Sequence, residues 1–170
     1  MLKHPRFMDG KEMVVDKYVE KLSSRRTELL FIILTILFFL LFLWRVNVSG
    51  WGGFVIAFLV LSCLFLFYVV NFRTLIIRIT SESLKLSFGI FSWTVPVSNI
   101  ESCSLDEIPL FMKYGGAGIH FMMIRKRYRA SFNFLEYPRV VIALKNKVGP
   151  VQDISFSTRQ PEEVLRVMAF

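Results

Sequence analysis

The densest chemistry in this chain is Ile124-Arg-Lys-Arg-Tyr-Arg129, which places four cations in five residues around one aromatic. Cations at this density attract anionic groups, at ~1 kcal/mol per basic residue close to a membrane surface. A second role for such a run is structural: a solvated hairpin tip whose charges keep exposed strand edges from pairing with other chains. Arg125, Lys126, Arg127 and Arg129 are therefore the candidate contact for anionic lipid headgroups or an acidic partner. Nucleic acid fits less well, because the bilayer is the anionic surface this chain cannot avoid.

Other reactive residue types lack the company that chemistry needs. Tyr114-Gly-Gly-Ala-Gly118 has the glycines of a phosphate loop, but that loop requires a helix N-terminus after it and a Lys-Ser/Thr pair. Here His120-Phe-Met-Met reads as a strand, so the glycines read as a turn between strands. His4 and His120 have no Cys, Asp or Glu at metal-ligand spacing. Asp106-Glu107 reads as a solvated loop pair, and Glu162-Glu163 as complement to a helix dipole. Cys63 falls within an apolar run and Cys103 in the segment after it, so no disulfide is expected. The expectation is a non-enzymatic protein with no cofactor and no metal site.

The elements that position the basic run begin with two uncharged apolar stretches, Leu29 to Trp44 and Gly52 to Val70. A bilayer core takes about 20 helical residues at a rise of ~1.5 Å each. The second stretch meets that length. The first meets it by extending through Val46 and Val48 with Arg45 snorkelling to the interface. Thr35 and Ser62 are expected to bond back along their own helices. Trp44 and Trp51 bracket the short connection, where indoles favour the membrane interface, and Arg73 follows the second stretch. Of the 21 basic residues, seven precede the first stretch, one lies between the two and 13 follow the second. The positive-inside rule then puts both termini in the cytoplasm and the connection outside.

Before the first stretch, Val14, Val15, Tyr18, Val19 and Leu22 recur at helical spacing, which predicts an amphipathic helix over Lys11–Ser24. Thr27 and Glu28 suit the start of the membrane helix. Beyond Val70 the period becomes two. Leu84, Leu86 and Phe88, then Phe132 and Phe134, then Val140, Ile142 and Leu144, then Ile154 and Phe156 each form one face of a strand. Weaker strand signals cover 75–80, 93–97, 99–105 and 118–124. Pro161 at a helix start, followed by Val164, Val167 and Met168 on one face, predicts a C-terminal helix. Seven or eight short antiparallel strands plus that helix suggest a small plugged barrel.

In this arrangement the chain resembles the bacterial PH-like (pleckstrin-homology-like) domain families, often attached to membrane helices. The resemblance rests on Ile79-Thr-Ser-Glu-Ser-Leu-Lys-Leu86, Val95-Pro-Val-Ser-Asn-Ile100 and Tyr114-Gly-Gly-Ala-Gly-Ile119. It continues through Val140-Val-Ile-Ala-Leu144 and Ile154-Ser-Phe-Ser-Thr-Arg-Gln-Pro-Glu-Glu163. The chain departs from the pattern at Ile124–Arg129, where basic residues replace a short glycine-rich hairpin. The resemblance implies a PH-like barrel and a binding or assembly role, with no catalytic residues.

The expectation is thus an α+β membrane protein: two transmembrane helices, then a small antiparallel β PH-like barrel with a C-terminal helix. Residues 1–28 form a cytoplasmic segment with an amphipathic helix, 29–70 a transmembrane hairpin, and 71–170 a cytoplasmic PH-like domain. Its expected function is binding or scaffolding at the inner leaflet. Its partners are the lipid bilayer and anionic lipid headgroups; the alternative is an accessory subunit docking on another membrane protein.

Overall fold

Ser24 ends one element and starts the next. Its hydroxyl accepts the Thr27 backbone N–H at 3.2 Å, capping the helix α1, Arg25–Ser49. The cap thus falls three residues before the expected Thr27, and Glu28 lies in the first helical turn. The computed structural model describes residues 15–107 and 117–169. His4, Lys11–Val14 and Tyr114–Gly116 lie outside the described residues.

Helix α1 runs on through Arg45, whose guanidinium carbon sits 6.0 Å from the centre of the Phe54 ring. After Gly50 the chain reverses into α2, Gly53–Asn71. Both helices are long and apolar enough to cross a membrane, by length and composition. Nothing in the most apolar stretch of α1 is fully buried, and Leu29, Leu30, Ile33, Ile36 and Leu40 face outward, each more than half exposed. The helices pack through rings, Phe31 on Tyr68 at 5.1 Å and Phe38 on Phe65 at 5.5 Å. Thr35 bonds back to the Phe31 carbonyl at 2.8 Å as expected. Ser62 instead donates across to the Thr35 carbonyl at 3.3 Å, because a small residue on the shared face lets the two backbones approach.

The amphipathic helix expected over Lys11–Ser24 is not what the described part of that segment forms. Residues Asp16–Ser23 make a strand, β1. It pairs antiparallel with β2, Thr74–Thr80, the first strand after α2, from Ser23 opposite Thr74 out to Asp16 opposite Thr80. The boundary drawn at residue 71 therefore shifts: residues 16–23 belong to the β domain, and the helical hairpin is an insertion between two neighbouring strands. Pairing supplies the physical reason. A strand beside β2 satisfies a row of backbone groups that an exposed helix would leave for solvent.

The first sheet continues through β3, Ser83–Phe88, and β4, Phe91–Pro96, in the order β1-β2-β3-β4. A 3-10 turn at Val97–Asn99 leads to β5, Ile100–Leu105. The second sheet adds β6, Gly118–Ile124, β7, Arg127–Asn133, β8, Arg139–Val148, and β9, Val151–Ser157, in the order β5-β8-β9-β7-β6. The expected small antiparallel barrel is corrected on two counts. The strands form two separate sheets, and β7 and β9 run parallel. Buried Leu75, Ile77, Leu84 and Phe88 of the first sheet share one core with Phe132, Phe134, Ile142 and Phe156 of the second. Helix α3, Pro161–Met168, contacts β1, β5 and β8 and buries Val164 and Met168 in that core, with Val167 partly buried beside them.

Candidate functional site

The basic run lies on the β6–β7 hairpin, but the fold divides it. Ile124 pairs with Arg127, so Arg125 and Lys126 form a two-residue turn, with φ of 49° and 66°. Two consecutive positive φ values match the right-handed twist of a hairpin and are usually met by Asn-Gly. Arg and Lys adopt that region at a cost of ~1–2 kcal/mol each. Both residues are exposed.

Arg127 and Arg129 are placed otherwise. They share a face of β7 with buried Ser131 and Asn133, and each finds an acid brought from elsewhere in the chain. Arg127 Nε donates to Asp153 Oδ1 of β9 at 2.8 Å. Arg129 Nη1 donates to Asp106 Oδ1 at 3.0 Å, with its other terminal nitrogen 3.7 Å from Asp153 Oδ2. Arg139 of β8 reaches Asp106 Oδ2 at 3.4 Å. The Arg129 side chain is 9% exposed and that of Asp106 2%. Burial lowers the Arg139 guanidinium pKa below its usual range, while Asp106 pulls it back up. Arg129 is thus withdrawn from the headgroup contact expected of it. A desolvated cation must be paired, and these strands supply the pair. Asp106, expected as a solvated loop acid, is the centre of that network.

A cavity of about 560 Å³ beside the network is bordered by Cys103, Asp106, Glu107, Arg125, Arg129 and Leu165. Its two cations face two acids, so it offers no net attraction for an anion. Burial also pushes the Cys103 thiol up to about 11, which keeps it protonated near neutral pH.

The remaining expected residues map to the two ends of the helical hairpin. Trp44 and Trp51 are exposed at the turn end, 57% and 74% respectively. At the other end Arg73 pairs with Glu28 at 2.9 Å, tying the second residue after α2 to the first turn of α1. That end is clamped to the β domain. A Cβ on Gly89, at φ +50° in the β3–β4 turn, would lie 2.8 Å from the Asn71 Cα and carbonyl oxygen. Phe72 at the end of α2 stacks on Phe91 at 5.7 Å, meets Phe88 at 5.6 Å, and lies where a Cβ on Gly118 would come within 3.1 Å.

Glu20 was missed by sequence reasoning. It accepts from the Tyr18 hydroxyl at 2.7 Å, the Thr158 hydroxyl at 2.6 Å and the Arg159 backbone N–H at 3.0 Å. These bonds tie β1 to the step between β9 and α3. The one signal available was its place between Tyr18 and Leu22 on a period of two. Gly118 opens a strand rather than a helix, in line with a turn and not a phosphate loop. Comparison with known protein families, curated proteins and solved structures finds no match to the chain.

Proposed function

We propose that this chain is a membrane-anchored, non-catalytic binding module: a PH-like domain held against the inner leaflet by α1 and α2, with both termini cytoplasmic. One observation carries the reading. Strands β1 and β2, which pair side by side, lie immediately before and after the helical hairpin in the chain. An anchor inserted inside a sheet holds its domain in a fixed pose, where a flexible linker would let it swing. The outward apolar faces of both helices, and the concentration of Lys and Arg at their β-domain end, support the orientation.

Held this close, the domain meets lipids and membrane partners at a high effective concentration, so weak contacts suffice. Within the basic run, Arg125 and Lys126 are the cations that no acid among the described residues engages, at the opposite end of β6 from Gly118, which abuts Phe72. Their strained turn supports a selected role for these side chains, since Asn-Gly would form the same hairpin without that cost. The test is alkaline carbonate extraction of membranes from cells expressing the full chain. The chain is expected in the membrane pellet, and its release to the supernatant would refute the anchored reading.

A further inference from the structure

Strands β4 and β6 are the facing free edges of the two sheets, and rings rather than backbone bonds bridge them. Trp93 of β4 lies 6.3 Å from Phe121 of β6 and 6.4 Å from Phe132 of β7. Between them opens a cleft of about 380 Å³, lined by Phe72, Phe91, Trp93, Ile119, Phe121 and Phe132. Among the described residues Ser92 is the one hydroxyl residue at its rim, on the opposite face of β4 from Trp93, and no charge borders it. One wall belongs to the end of α2: Phe72 follows its last residue, and Phe67 in its last turns lies 6.2 Å from Phe91. Ile90, 75% exposed, sits at the same end, its backbone N–H donating to Asn71 Oδ1 at 3.4 Å. An unbroken apolar path therefore leads from the end of α2, over Ile90 and Phe91, into the cleft.

We propose that this cleft takes a lipid acyl chain from the leaflet in which α2 ends. The inference rests on the membrane reading above. Hydrocarbon brings no groups that require hydrogen bonds, whereas a peptide would bring amides and carbonyls to side chains that offer one hydroxyl. Ligand pockets span ~300–1,000 Å³, so this cleft suits part of one chain rather than a whole lipid. Its position at the bilayer surface lets the chain enter without the headgroup leaving the interface.

Trp44, Trp51 and Trp93 are the three tryptophans of the chain, which makes a direct test practical. Three full-length proteins, each keeping one tryptophan with the others changed to Phe, are reconstituted into phosphatidylcholine bilayers. The lipids are brominated either near the carbonyl or near the middle of the chain. Trp93 emission is expected to be roughly halved by mid-chain bromine, and Phe121→Glu, which puts a charge in the cleft, should restore it. Ile119→Phe, which fills the cleft, should do the same, and an unchanged β-sheet circular dichroism signal shows that both variants fold. Quenching of Trp44 and Trp51 by bromine near the carbonyl without quenching of Trp93 overturns the acyl-chain site and leaves the membrane reading standing. So does Trp93 quenching that persists in both the Phe121 and the Ile119 variant, and so does a peptide occupant, which leaves Trp93 bright. If no tryptophan is quenched by either lipid, the membrane reading falls, and the cleft proposal with it.

Discussion

Ser23 and Thr74 stand opposite each other as the last pair of β1 and the first of β2, although both long helices lie between them in the chain. The pairing makes the helical hairpin an oversized turn of a β-hairpin. It also closes the base of α1 and α2 from below, with the Arg73–Glu28 pair at 2.9 Å beside it.

If β1 is part of the domain, a fragment beginning at Asn71 lacks an edge strand and should fold poorly. Leu22 is fully buried, and burying one Leu stabilises by ~1.5–3 kcal/mol out of a typical total of ~5–15. Its loss also uncovers the β2 edge and the anchors that Glu20 provides. Joining Ser23 to Asn71 with a short Gly/Ser linker, in place of residues 24–70, should restore a cooperative, β-rich domain. Urea unfolding followed by circular dichroism checks this. Equal stability of the two fragments would show that β1 contributes nothing.

The divided basic run predicts a divided mutational response. Arg125→Gln with Lys126→Gln should weaken binding of the linked domain to anionic vesicles by about 2 kcal/mol, roughly 30-fold, and leave stability unchanged. The loss should shrink as salt shortens the Debye length. Arg129→Gln should instead destabilise the fold by ~3–5 kcal/mol, because Asp106 and Asp153 lose a buried partner. Co-sedimentation and urea midpoints on the same proteins separate the two effects.

How much of this was legible in the sequence depended on how far apart the interacting residues lie. The apolar helices and the strands from Leu75 onward show their periods locally. Strand β1 did not, because Val15, Tyr18, Val19 and Leu22 fit a helical stripe, while as a strand they fall on both faces. Its inward row, Tyr18, Glu20 and Leu22, contains an acid, which masks the alternation. Glu20 is tolerated there only because Thr158 and Arg159, far along the chain, bond to it. The same distance hid the charge network. Arg129 has the parity of Ser131 and Asn133, but its inward placement depends on Asp106 and Asp153, which arrive from β5's end and β9. The parallel pairing of β7 with β9 has no local signature at all.

The Cys103 thiol supplies a pH prediction. Its pKa is raised from 9.0 to about 11 by burial, so the folded state keeps its proton where the unfolded state loses it. The group's contribution is complete below about 9 and is lost as pH rises through about 11. In a Cys63→Ser protein, urea midpoints should fall over that window, and fall less when Cys103 is also changed to Ser. Tyr18, raised to about 12 chiefly by burial, should add a second decline at higher pH, which Tyr18→Phe would reduce. An identical alkaline profile with and without Cys103 would contradict the burial argument.

An anchor built into the sheet should hold the β domain on the cytoplasmic side. Cys103 is a poor reporter of sidedness, being half-buried and protonated. Exposed positions at the two ends serve better: Ser49→Cys at the turn end of α1 and Lys126→Cys at the β6–β7 tip, each in a Cys63→Ser, Cys103→Ser background. Labelling with an impermeant maleimide in intact cells should modify the cysteine at position 49 and spare the one at 126 until the membrane is permeabilised. Labelling at 126 in intact cells, with position 49 protected, would contradict the account.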